Sequence, residues 1–225
     1  FKNDQAMTVV VSIILVYTSL NICGNLVLYF FRFDVGNEGA YSLFAAVAFA
    51  AQVLVMMVIP LLRKRFSKSQ LFISGFIIQI AGFAVILIMA FAKLYTPQSW
   101  YILCLPGILI YLGYGMLNVI MTIFLSDSVD YGEVMNGTRE ESVIFSMQTF
   151  TVKLASGVAV FLAGLVVDWI HLDTAAAVQT QDTLDALRMW MTIPSVILLI
   201  VGIFVFKRFY KLDDTRMEEI KSKLN

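Results

Sequence analysis

The residues best equipped for chemistry lie between Asp127 and Asp168. The run VIFSMQTFTVKLASGVAVFLAGLVVD, from Val143 to Asp168, is apolar and long enough to cross a bilayer. Lys153 sits near its expected midplane. Thr149 lies one helical turn earlier, and Ser146 and Gly157 fall on roughly the same side. A charge at that depth costs several kcal/mol or more unless it is paired or faces water. The expectation is a helix lining a polar cavity, with Lys153 turned toward that cavity. The alternative is a lysine that snorkels to an interface, which suits a helix end better than a helix middle.

Immediately upstream lies the most polar block of the chain, from Asp127 to Ser142. It supplies Asp127, Asp130, Glu133, Arg139, Glu140 and Glu141. It reads as a structured polar loop, with Gly132 and Gly137 punctuating turns. Asp127 and Asp130 share a face if the preceding helix continues through them. Such a pair could bind a cation or accept salt bridges from basic links. With Arg139 close by and no His or Cys companion, a metal site is not expected. The block looks more like a gate latch than an active site.

The elements that must position these residues are membrane helices. Of 225 residues, 60% are hydrophobic and 14% charged, against roughly 25% charged in a soluble domain. Net charge is zero, so bulk charge gives no case for nucleic acid as a partner. Cys23 and Cys104 lie in apolar segments and read as small fillers. Six runs reach the ~20 residues needed to span the hydrocarbon core: 6–30, 40–62, 69–92, 99–126, 143–168 and 187–207. Continuous runs of that length exclude membrane strands, which are roughly half as long and alternate. The expected class is an all-α membrane protein, with a bundle over 1–211 and a tail over 212–225. The chain begins without an initiator methionine or a signal-peptide pattern and is read as part of a longer protein.

Basic residues set the expected orientation. Arg63, Lys64, Arg65 and Lys68 crowd the link between spans two and three, where a topology anchor is a sufficient role. Arg139 and the group Lys207, Arg208, Lys211 fall on the same side, so both ends are expected in the cytoplasm. The opposite side holds Arg32, Lys93 and Arg188, with Arg188 and Trp190 at the interface.

Several positions inside the spans carry polarity or small size. Asn21 and Asn25 share a face of span one, with Tyr17 and Tyr29 continuing the row. A cavity lining and a helix–helix hydrogen bond are equally open for this pair. Arg32, Asp34 and Glu38 make the following link a solvated cap or part of an outer gate. Gly75 and Gly82 form a stripe suited to close packing. In span four, Pro106 and Gly107 are expected to interrupt the helix and Gly113 and Gly115 to loosen it, around the polar Asn118. Broken helices are common in secondary transporters, although Gly and Pro are frequent in membrane helices generally. In the tail, Thr215 and Glu218 form a capping box. Leu212, Met217, Ile220 and Leu224 form a weak apolar stripe, which suits a short surface helix.

The run from Asp127 to Lys153 resembles the signature region of the glycoside-pentoside-hexuronide:cation symporters, the family that includes the melibiose permease. The matched positions are Asp127, Asp130-Tyr131-Gly132-Glu133, Arg139 with Glu141, Phe145-Ser146, Gln148-Thr149 and Lys153. More loosely, Tyr29-Phe30-Phe31 with Gly36, and Met191 to Pro194, fit the carboxyl-terminal half of such a transporter. The resemblance implies one six-helix half of a major-facilitator-type twelve-helix fold. A glycoside or sugar would bind between this half and an amino-terminal six-helix half, in the cytoplasmic membrane. It implies Lys153, Thr149 and Gln148 around the sugar, with Asn118 at a position where the melibiose permease has a stacking tryptophan. An amide there can bond a hydroxyl but offers no ring face. Asp127, Asp130, Tyr131, Gly132, Glu133, Arg139 and Glu141 would form a gating or coupling group. No cofactor is implied beyond a coupling cation (Na+, H+ or Li+), expected to bind mainly in the other half. The rival readings are symport of another polar solute, a channel or non-transporting subunit, and a membrane enzyme. The enzyme would need a carboxylate–metal or nucleophile–base set that the sequence does not display.

Overall fold

In the computed structural model the chain is all-helical over the described residues, which are 3–224, with side chains described for 3–222. Helix α1 (Asp4–Tyr29) is continued by a π-helical turn, Phe30–Val35, closed by Gly36 at φ 74°. Then follow α2 (Ala40–Leu62), α3 (Lys68–Phe91), a 3₁₀ turn (Trp100–Leu103) and α4 (Cys104–Asn136). Next come α5 (Glu141–Trp169), α6 (Gln181–Phe209) and α7 (Asp214–Leu224). The first six helices are long and apolar enough to cross a membrane.

Two helices form the centre. α1 packs against α4, α5 and α6, and α4 packs against α2 and α3, while α3 meets α6 to close the bundle. Aromatic rings tie the closure together at the end that carries both termini. Phe72, Phe124, Phe206 and Tyr210 lie with ring centroids 4.4–5.2 Å apart. The outward face of α2 is apolar, with Leu43, Phe49, Leu54, Met57 and Leu61 all exposed. Contiguous apolar surface of that size fits a lipid environment.

Glycines set the α3–α4 distance. A Cβ on Gly113 would lie 2.5 Å from the Gly75 carbonyl oxygen and 2.6 Å from the Gln79 nitrogen. One on Gly82 would meet Ile110 at 2.7 Å, and one on Gly115 would meet Val55 at 2.6 Å. The Gly75/Gly82 stripe therefore packs as its spacing predicts. The expectation for span four is corrected. α4 is continuous from Cys104, because Pro106 sits in its first turn, where no backbone donor is needed. Its glycines are contact points and do not loosen the helix.

Two boundaries and one cap differ from the sequence reading in ways that matter for the site. α4 runs ten residues past the expected end at 126, so Asp127, Asp130, Tyr131, Gly132 and Glu133 are helical and the loop shrinks to 137–140. Gly137, at φ 72°, ends the helix, as a residue without a Cβ does readily. Gly132 makes no turn. It lets the Asn3 side chain approach α4, and a Cβ there would meet Asn3 Nδ2 at 2.8 Å. α6 starts at Gln181, capped by Thr180. In the tail, α7 is capped by Asp213, which accepts from the Arg216 amide at 2.8 Å, and not by Thr215. Leu212, Met217 and Ile220 are buried against Tyr131, Val134 and Tyr210. The side chain of Leu224 lies outside the described residues.

Candidate functional site

The buried side of α5 is built from Ile144, Thr151, Ala155, Ala159, Ala163 and Val166, and it rests on α1. Spacing of mostly three and four residues, with alanines at three positions, gives a narrow, smooth contact. Ser146, Thr149, Lys153 and Gly157 lie on another side of the same helix, and all are exposed. Thr149 Oγ1 donates to the Phe145 carbonyl at 3.2 Å, which leaves its lone pairs outward. No carboxylate of the described residues comes within ion-pair distance of Lys153. Gln148 is half-buried, about a quarter-turn nearer the α1 contact.

A second polar strip runs along α1 and α4. Asn118 is half-exposed and donates from Nδ2 to the Tyr17 hydroxyl at 2.6 Å. The Tyr17 ring meets Tyr114 edge-on, with centroids 5.5 Å apart. Asn21 and Asn25 donate from Nδ2 to the carbonyls of Tyr17 and Asn21, each at 2.7 Å. The Asn pair thus makes no helix–helix bond among the described residues. Each amide bonds its own helix one turn back, which leaves the side-chain oxygens free to accept.

At the end carrying the termini, the acidic block is divided between two cations. Lys68 and Asp127, both 5% exposed, form a buried ion pair. Lys68 also reaches Asp214 at 3.4 Å, and Arg63 meets the same carboxylate at 3.3 Å. Burial opposes ionisation of Asp214, but Lys68 and Arg63 outweigh it and hold its pKa below the usual range. Lys68 is therefore no exposed topology anchor. It joins the starts of α3 and α7 to α4. Asp130 belongs to the other group. Arg139 bonds Glu133 at 2.8 Å, Asp130 at 3.0 Å and Glu141 at 3.2 Å. Those three carboxylates raise the Arg139 pKa further. Asp127 and Asp130 do share the helix but serve different partners. Within this bundle Asp127 thus pairs with Lys68, while Asp130, Glu133 and Glu141 gather on Arg139.

Sequence reasoning missed one site. At the opposite end, Arg188 clasps Asp34 through Nε (2.8 Å) and Nη2 (2.5 Å), with both side chains 3% exposed. Arg188 also bonds Asp185 at 2.7 Å, and the Tyr95 hydroxyl donates to Asp34 at 2.6 Å. Burial and the Asp34 carboxylate push the Tyr95 hydroxyl pKa up. Asp34 is thus a buried acceptor inside the π turn, and Arg188 is buried against it. The one available signal was that Asp34 and Arg188 fall on the same expected side of the membrane, where Arg32 offered Asp34 a nearer partner.

Six helices long and apolar enough to cross a membrane, with polar side chains at exposed or half-exposed positions of α1, α4 and α5, define a multi-pass membrane protein. The chain matches the family described as "MFS/sugar transport protein" over residues 1–214, and it belongs to that family. It is 26% identical over 223 residues to "Uncharacterized symporter YjmB" of Bacillus subtilis (strain 168), covering 99% of this chain and 47% of that protein. It is 21% identical over 225 residues to the "Raffinose carrier protein" of Pediococcus pentosaceus, covering 99% and 34%. It is 25% identical over 215 residues to the "Isoprimeverose transporter" of Lactiplantibacillus pentosus, covering 94% and 43%. The chain thus spans about a third to a half of the length of these relatives.

Proposed function

We propose that this chain is one six-helix half of a transporter that carries a sugar or glycoside across the cytoplasmic membrane, coupled to a cation, with both of its ends in the cytoplasm. The observation that carries the reading is the family match over nearly the whole chain, joined to an exposed Thr149 and a Lys153 without an ion-pair partner among the described residues, on one open helix side. An ammonium and a hydroxyl at that depth suit a hydroxyl-rich solute and are costly facing lipid. Relatives named for raffinose and isoprimeverose favour a sugar over another polar solute. Relatives named as symporters favour ion coupling. The coupling cation (Na+, H+ or Li+) would bind mainly in the other half, which would also complete the sugar site.

In this scheme the two halves rock about the central site, giving alternating access. Lys153, Thr149, Gln148 and Asn118 contact the solute. The Arg139 cluster and the Lys68–Asp127 pair exchange partners with the other half as the site opens and closes. The bundle acts as a carrier wall, not as an enzyme. The test is counterflow of radiolabelled galactosides, glucosides, xylosides and glucuronides in vesicles holding the full-length protein. Exchange of at least one of them, enhanced by a cation gradient, is expected. Exchange of none would overturn the reading.

A further inference from the structure

We infer that Tyr17 is a specificity-determining residue of the solute wall, and that Asn118 is its positioning residue. The inference rests on the sugar-transport reading above and names the surface that would recognise the ring of the sugar.

Three observations meet here. First, Tyr17, Asn21 and Asn25 follow one another at four-residue spacing, and all three are half-exposed on a helix that is otherwise largely buried. That row is the open strip of a central helix. Second, the tip of Tyr17 is fixed by Asn118 Nδ2 at 2.6 Å, and its ring is held edge-on by the buried Tyr114. A half-exposed tyrosine would otherwise swing about its side-chain bonds. Here it is anchored from α4 at both ring and hydroxyl. Third, the hydroxyl accepts from Asn118 and so keeps its own proton to donate. The side-chain oxygens of Asn21, Asn25 and Asn118 have no partner among the described residues.

Together these groups present one aromatic face, one O–H donor and a row of amide acceptors. That set fits a pyranose, which has an apolar C–H face and a rim of hydroxyls that both donate and accept. The position of residue 118, an amide without a ring, is then accounted for. The ring comes from α1, and the amide aims it. Lys153 on α5 supplies a cationic donor from a neighbouring helix. A ring held at one angle accepts sugars by the orientation of their hydroxyls, which makes Tyr17 a determinant of which glycoside is preferred.

The test uses the full-length protein in vesicles, with whichever labelled glycoside of the panel above the wild type exchanges fastest. Unlabelled methyl galactoside, glucoside and xyloside serve as competitors. Tyr17→Ala removes the ring and is expected to raise the half-saturating concentration roughly tenfold, the scale of one lost aromatic contact. Tyr17→Phe and Asn118→Leu keep the ring but release its tip. Each is expected to change the ranking of the competitors, and the double variant is expected to fall short of the sum of the two single ones, since they share one bond. A purely structural tyrosine would lower the amount of folded protein without reordering the sugars. Unchanged affinity in Tyr17→Ala and unchanged ranking in both tip variants would overturn the inference and leave the transport reading standing. A wild type that exchanges none of the panel would overturn both.

Discussion

Arg188 holds Asp34 through two hydrogen bonds, 2.8 and 2.5 Å long, across the end of the bundle opposite the termini. The pair joins the π turn after α1 to the start of α6, and Tyr95 brings the α3–α4 link onto the same carboxylate. Replacing either partner leaves the other charge buried. Arg188→Leu is expected to cost about 3–5 kcal/mol of stability, read as a lower thermal midpoint in detergent. Arg188→Gln combined with Asp34→Asn should recover most of that loss, since no buried charge remains. A midpoint for Arg188→Leu equal to that of the parent would show that the pair carries no stability.

The Lys68–Asp127 pair makes a similar demand at the other end. Lys68→Met leaves Asp127 buried and Asp214 short of one cation. A double-mutant cycle with Asp127→Leu should therefore give a coupling energy of order 3 kcal/mol. Strictly additive effects on denaturation would count against a shared buried bond.

Acid should release α7. The pKa of Asp214 is depressed by Lys68 and Arg63 against the cost of burial. The stabilisation is then fully present above the unfolded carboxylate value, about 4, and is lost as pH falls through the lower folded value. Amide protection factors over residues 214–222, taken against the intrinsic exchange rate at each pH, should be high at neutral pH and collapse well below pH 4. Protection that does not change over that range would refute the assignment.

Two glycines should behave oppositely. Gly113→Ala drives a methyl into backbone atoms of Gly75 and Gln79 and should cost roughly 1–3 kcal/mol or more. Gly164 on α5 has nothing within 4 Å of a built Cβ, so Gly164→Ala should be neutral or slightly stabilising. Thermal midpoints of the two variants decide the matter.

On the transport reading, Lys153→Leu in the full-length protein should abolish accumulation while the protein stays in the membrane. Asp130→Asn frees one of the three contacts of Arg139 and should slow exchange more than it weakens binding. Normal accumulation by the first variant would remove Lys153 from the mechanism. Lost affinity at full turnover in the second would remove Asp130 from gating.

Much of this architecture can be read from hydropathy. Lipid requires long apolar runs, so six spans are visible, and the second matches its helix at both ends. Beyond the membrane that requirement lapses, and the signal stops. The last ten residues of α4 carry three acids and resemble a loop, yet these acids, at i, i+3 spacing, meet cations on neighbouring elements and lie within the helix. The partners of Lys68 and Arg188 lie 59 and 154 residues away. Local spacing carries no trace of such pairs, so both cations pass for surface charges. The row Tyr17, Asn21, Asn25 is legible as a face. Its link to Asn118, 101 residues on, is not. The glycines of α4 were ambiguous for a different reason: composition does not separate a hinge from a close contact.

Where Gly75 and Gly113 bring two backbones together, α3 and α4 meet closely, with the side chains of Leu117, Gln79 and Ile110 filling the seam, and act as one strut. Asn118 on that strut cannot be displaced without carrying Lys68 and the charges gathered around it. A tilt of this pair that begins at the middle of the membrane would then reach the charges at the aqueous end.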